Sequence, residues 1–201
     1  MINKNGLTAE QSKMKEKLLD IAIEVFIEFG FQHTGMLDIS KRAGIAVGSI
    51  YTYFQSKNDL ILEAINKITK TILYEIQLRV KYETNPYKQI NTFIDVNFEI
   101  MSKRRDWATI MIFEIYVVPR RLLYNPQISN FSRYVEYIKS IFDEGVEQKI
   151  FKPANTYVLT LHLLGSFDYM VRKWILDDFS YDLDQFKQQL KDTFFNGIIV
   201  K

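Results

Sequence analysis

Apolar positions recur along this chain with the period of a helix, and almost nowhere with the alternation of a strand. Over residues 12–29 they fall at Leu18, Ala22, Val25, Phe26 and Phe29, spaced i, i+4, i+7, i+8 and i+11. That spacing predicts one amphipathic helix, closed by Gly30. Residues 34–60 predict two short helices joined at Gly44, where a left-handed residue is needed to turn the chain. In the first, Leu37, Ile39 and Ala43 are expected to face a small core, with Asp38, Lys41 and Arg42 pointing away. In the second, residues 46–54, Ile50 and Phe54 stand four apart on an inward face. Gly48, Ser49, Tyr51, Thr52 and Tyr53 are left largely outward.

Ser56 and Asp59 stand as N-cap and N3 of a fourth helix reaching about residue 80, with Leu60, Ala64, Ile68, Thr71 and Ile72 inward. Pro86 marks a fresh start and a helix over 87–103, carrying Ile90, Phe93, Ile94, Asn97, Phe98 and Met101. Asp106 can cap a helix over 107–118, ended by Pro119. Pro126 opens another over 127–148, carrying Phe131, Tyr134, Val135, Ile138, Ile141, Phe142 and Val146. After a turn at KIFKPAN, residues 155–176 and 183–199 predict the last two, separated by DDFSYDLD. Nine helices, with no internal repeat, make an all-α chain, and residues 1–9 read as a loose arm.

Composition agrees. In 201 residues, 47% hydrophobic and 14% aromatic side chains exclude a disordered chain, and four prolines and eight glycines suit helices. The absence of cysteine removes disulfides, thiolate metal sites and cysteine nucleophiles together. The polar N-terminus lacks the apolar core of a signal peptide, and no run is long enough to span a membrane, so a cytoplasmic protein is expected.

A helix as short as residues 46–54 cannot stand alone in water, so its outward residues are displayed by a scaffold. This is the layout of a helix-turn-helix, whose second helix enters the DNA major groove. Charge does not reinforce the reading. Residues 1–60 hold seven basic and seven acidic side chains, whereas DNA-binding domains are usually basic. Position matters more than the sum. Asp20, Glu24 and Glu28 form one acidic line that can lie away from DNA, while Lys41, Arg42 and Lys57 flank the reading helix.

Over residues 15–62 the chain resembles the tetracycline-repressor (TetR/AcrR) family of bacterial regulators. The resemblance rests on AIEVFIEFGFQHT and DISKRAGIAVGSIYTYFQSKNDL, above all on the ordered set Phe26, Gly30, Thr34, Ile39, Ala43, Gly44, Gly48, Tyr51, Tyr53, Phe54, Ser56, Lys57 and Leu60. It implies a three-helix DNA-binding head, residues 1–55, and a six-helix effector-binding and dimerisation domain, residues 56–201. It also implies DNA contacts from Thr34, Gly35, Met36, Val47, Gly48, Ser49, Tyr51, Thr52, Tyr53 and Lys57. Hydroxyls of Tyr51, Thr52 and Tyr53 suit phosphate oxygens, and Lys57 is expected to grip a phosphate at a helix N-terminus. Three positions depart from the family pattern: Gly35 and Ala46 replace the usual hydroxyl caps, and Val47 replaces a residue that is often polar.

Beyond residue 65 only general architecture carries over. Polar residues set among aromatic stripes need partners, and a ligand cavity can supply them. The expected lining is Phe98, Phe113, Tyr134, Ile138 and Phe167, with Glu114 or His162 as polar anchor, for a small hydrophobic or amphipathic effector. Arg104, Arg105, Arg120, Arg121 and Arg133 form a basic set that could meet an anionic group or merely be solvated. The last two helices suit a two-fold interface through Leu161, Gly165, Tyr169, Phe186, Leu190 and Phe194, which the resemblance makes a homodimer contact. No catalytic motif, cofactor loop or metal spacing is present. The expected protein is therefore a homodimeric repressor that binds a palindromic operator. The competing readings are an all-helical carrier or enzyme for an apolar ligand without a DNA role, and a DNA architectural protein without an effector.

Overall fold

A computed structural model describes residues 8–124 and 129–200. Among these residues there are ten α-helices and no strand, only a single antiparallel bridge between Phe151 and Ile199. The helices are α1 Ala9–Phe29, α2 Met36–Ala43, α3 Val47–Tyr51, α4 Lys57–Val80, α5 Pro86–Lys103, α6 Arg105–Thr109, α7 Arg120–Leu123, α8 Asn130–Glu147, α9 Thr156–Leu176 and α10 Leu183–Ile198.

Local chemistry sets most of these boundaries. Thr8 and Gln11 close a reciprocal capping box on α1, which therefore starts a turn earlier than its apolar stripe predicts. Gly30 ends α1 at φ 77°, ψ 149°, a conformation left almost entirely to glycine. Gly44 ends α2 in the left-handed region at φ 69°. Ser56 and Asn155 accept from the backbone N–H of Asp59 and Val158 and so begin α4 and α9.

The head packs Phe26, Phe31, Ile39, Ile50 and Phe54 into one core, with Leu60 and Ala64 of α4 as its floor. Phe26 and Phe31 meet at 5.3 Å. Leu37, expected inward, is 53% exposed. The inward stripe of α2 is instead Met36, Ile39, Ser40 and half-buried Ala43, the i, i+3, i+4, i+7 set, and Leu37 falls outside that arc.

α4 continues into the body, where it packs against α5 and α8. The helix expected over 107–118 is not regular. α6 passes into a π-helical turn at Ile110–Glu114 and a 3₁₀ turn at Ile115–Val117, and a separate four-residue α7 follows. The expected nine helices thus become ten. The start of the helix expected over 127–148 lies partly outside the described residues, and α8 is described from Asn130.

Candidate nucleic-acid interface and effector cavity

α3 presents Val47, Gly48, Ser49 and Tyr51 to solvent, with Thr52 directly after it. Tyr51 is 52% exposed. A Cβ built on Gly48 meets nothing within 4 Å, so packing within the chain does not require this glycine. Thr52 donates its hydroxyl to the Ser49 carbonyl at 2.7 Å and keeps lone pairs outward. Tyr53 is half-buried against the head core.

Four expected DNA contacts are engaged within the chain itself. Thr34 is buried and donates its hydroxyl to the Gly30 carbonyl at 2.7 Å, and Met36 is buried in the core. Gly35 is half-buried, with its N–H bound to Asp38 Oδ2 at 2.8 Å. Asp38 thereby supplies the N3 half of a capping box, while glycine at position 35 leaves out the other half, a hydroxyl accepting from the Asp38 N–H. Lys57, expected on a phosphate, directs Nζ to the carbonyls of Phe31 and Thr34 at 2.7 and 2.8 Å, and lies 4.2 Å from the centroid of the Phe31 ring. Two of its three ammonium protons are therefore spent holding the α1–α2 connection.

The neutral charge of the head finds a physical account here. Asp20 pairs with Lys67 of α4 at 2.5 Å, and Glu28 pairs with Arg42 of α2. Hydrogen bonding to Glu28 raises the Arg42 pKa further. The acidic line of α1 thus acts as counterion to neighbouring helices.

In the body a cavity of about 680 Å³ lies among α4, α5, the π and 3₁₀ turns, α7, α8 and α9. Its wall is mostly apolar, including Ile72, Met101, Met111, Ile115, Phe131, Leu164 and Phe167. At its floor the Tyr134 hydroxyl donates to Asn97 Oδ1 at 2.8 Å, while Asn97 Nδ2 donates to the Phe93 carbonyl at 2.8 Å. Complete burial raises the Tyr134 pKa, so the phenol stays protonated. At the rim, Arg120 is exposed, and Asp168 pairs with Arg172 at 3.2 Å. Arg172 also donates to the Ile112 carbonyl inside the π turn, at 2.9 Å.

Of the expected lining, Tyr134 and Phe167 border this cavity. Phe98 stands behind Phe167, edge-to-face at 5.0 Å, and borders a second, more polar hollow of about 580 Å³. Phe113 lies beneath the Arg172 guanidinium at 5.1 Å. Ile138 is fully buried away from the wall, and His162 is exposed, 5.7 Å from the Phe194 ring. The side chain of Glu114 lies outside the described residues. The missed members Met101 and Phe131 stand one turn from the buried polar pair, which was the available signal. The five arginines do not form one cluster: Arg104 pairs with Asp106 and Arg105 rests on Phe179.

Among the expected dimer residues, Leu161, Gly165 and Tyr169 are exposed on α9. Phe186 is half-buried on Tyr181. Leu190 and Phe194 are only 4% exposed, in the chain's own core, with Phe194 against Phe142 at 5.8 Å. That burial corrects the expectation that they face outward.

Residues 18–64 match the family model of bacterial regulatory proteins, tetR family, and residues 64–197 match that of the YsiA-like protein C-terminal region. The chain belongs to the TetR family. It is accordingly a DNA-binding transcriptional regulator and not an enzyme. TetR-family relatives match over nearly its whole length. The fatty acid metabolism regulator protein of Bacillus subtilis is 22% identical over 184 residues, 90% of this chain and 94% of the relative. The transcriptional repressor KstR2 of Mycolicibacterium smegmatis is 24% identical over 194 residues, 94% and 93% of the two chains. Among solved structures, the fatty acid degradation regulator FadR from Bacillus halodurans superposes with a TM-score of 0.80 at 20% identity, covering 90% and 94%. FadR from Bacillus subtilis, in complex with stearoyl-CoA, superposes with a TM-score of 0.77 at 21% identity, covering 92% and 98%. These structures share the TetR fold.

Proposed function

We propose that this TetR-family chain is a homodimeric, cytoplasmic repressor that binds a palindromic operator and is released by an amphipathic effector with a long apolar chain. The observation that carries the reading is an apolar cavity bordered by Thr69 and Ile72 of α4, the same helix whose first residue, Lys57, holds the head together. A volume of about 680 Å³ is in the range of ligand cavities. Its lining suits an acyl chain, and Arg120 at the rim suits an anionic head group. The Bacillus subtilis relative crystallised with stearoyl-CoA supports that chemical class. Residues 1–55 then read DNA, chiefly through Val47, Gly48, Ser49, Tyr51 and Thr52, while residues 56–201 take effector and partner.

In a dimer the two reading helices would stand about 34–36 Å apart, one turn of DNA. An effector that favours a tilted α4 changes that spacing by population shift. The test is a gel-shift titration against DNA flanking the gene, at two salt concentrations and with added stearoyl-CoA. Sequence-preferring binding that weakens with salt and is reversed by stearoyl-CoA is expected. Retention of the complex at saturating stearoyl-CoA would reject this effector class, and failure to prefer any flanking sequence would reject autoregulation from that DNA.

A further inference from the structure

We propose that the second, more polar hollow is a binding site for a small zwitterion, an α-amino acid with an apolar or aromatic side chain. The site lies apart from the effector cavity, and the two readings stand or fall separately.

The hollow, of about 580 Å³, opens where the end of α9 and the start of α10 face α5 and Arg105, the first residue of α6. That volume is in the range of ligand sites. One wall is aromatic: Trp174 and Phe179 meet edge-to-face at 4.7 Å, and Phe98 and Tyr181 also border the space. Phe179 takes its place against its own backbone preference. It and Asp178 are consecutive non-glycine residues in the left-handed region, at φ 59° and 52°, which a bulky side chain rarely adopts.

Charge selects the ligand. Among the described residues, six charged side chains line the hollow: Asp95, Glu99, Asp182, Asp184, Arg105 and Lys187. Four are matched within the chain, Asp95 by Lys191 at 2.5 Å, Glu99 by Arg79 and Lys103, and Asp184 and Lys187 by each other at 2.6 Å. Arg105 and Asp182 are not. The Arg105 guanidinium makes no ion pair among the described residues and rests on the rings, 4.4 Å from the Phe179 centroid and 5.6 Å from that of Trp174. Asp182 meets no cation among them either; its Oδ1 accepts from the Asp184 N–H at 2.9 Å, which leaves Oδ2 for a ligand. A bare cation entering here meets Arg105 already on the rings, and a bare anion meets a lining with twice as many carboxylates as cations. Nor do those carboxylates gather: among the described residues no three of them could hold one metal ion. A ligand carrying both signs satisfies both unmatched groups. Its carboxylate takes the Arg105 fork, its ammonium takes Asp182, and its side chain lies on Trp174, Phe179 and Tyr181.

The test titrates the full-length chain calorimetrically with three probes that share one ring: L-phenylalanine with both charges, phenethylamine with the cation alone, and hydrocinnamate with the anion alone. L-Phenylalanine is expected to bind at least about tenfold more tightly than either, the worth of one charge-assisted bond. Arg105→Gln should abolish its advantage over phenethylamine. Asp182→Asn, which keeps a capping side chain on α10, should abolish its advantage over hydrocinnamate. Both side chains are exposed, so the variants are expected to melt with wild type. Phenethylamine or hydrocinnamate binding as tightly as L-phenylalanine overturns the proposal, and so does L-phenylalanine binding that neither substitution weakens. Wild type that takes up none of L-phenylalanine, L-tryptophan and L-leucine at millimolar concentration overturns it as well. Failure to bind stearoyl-CoA, by contrast, removes the effector reading and leaves this site standing.

Discussion

Gly48 occupies a helical position where alanine would meet no neighbour, so its cost to the helix, about 0.5–1 kcal/mol, has no internal return. Gly48→Ala is therefore expected to leave thermal stability unchanged or slightly raised while weakening operator binding. A gel shift set beside a thermal melt checks both, and undiminished affinity would remove Gly48 from the interface. Gly145 is the opposite case: a Cβ there would fall 2.1 Å from the buried Phe151 ring. Gly145→Ala should cost about 1–3 kcal/mol by overpacking, visible as a lowered melting midpoint with operator binding intact below it. Lys57→Ala is expected to destabilise the head by on the order of 1–3 kcal/mol, through two lost charge-assisted bonds, and to reduce the salt slope of DNA binding by at most about one unit. Residue types announced a turn at Gly44 because the need there is local. Nothing local distinguishes Gly145, whose neighbour is brought by the fold, or Lys57, whose carbonyl partners lie 26 and 23 residues away.

At the level of elements, the bounds of α4, α5, α9 and α10 were read to within a residue or so, and the inward phase was read well for α4 and α5, where a polar face fixed it. Periodicity failed over residues 110–118, where IMIFEIYVV offers apolar side chains in every direction and no phase to follow. There the backbone widens into a π turn that receives the Arg172 guanidinium on the Ile112 carbonyl, a contact no spacing rule contains. The same gap misassigned Phe194, since an apolar stripe states that a face is covered but not by which neighbour. One pairing of elements is open to titration. Arg79 of α4 and then Lys103 of α5, at 2.5 and 2.6 Å, hold the Glu99 carboxyl at about 2, below its ordinary 4.5. A depressed carboxyl contributes stability that is present above its unfolded pKa and lost as pH falls through the folded one. Melting midpoints should therefore decline between about pH 4.5 and 2, and Glu99→Gln should flatten that limb. An unchanged acid limb would show that the pair is too well solvated to matter.

For the molecule as a whole, head and body are not separate packages. Leu60 and Ala64 close the core of α1–α3, and Ile68, Ile72 and Ile76 further along the same helix enter the body. A fragment of residues 1–55 lacks that floor and is expected to show little helical circular dichroism, whereas a fragment ending at residue 80 should regain part of it. Equal helicity in the two would make the head autonomous.

The shared helix has a lever's arithmetic. At 24 residues it is about 36 Å long, so each degree of rotation about its body end carries the other tip about 0.6 Å. A pivot of about 6° would displace that tip by nearly 4 Å, beyond the reach over which a hydrogen bond survives. A molecule wedged beside Thr69 and Ile72 would need only to lean on the rod to disengage Tyr51 and Thr52.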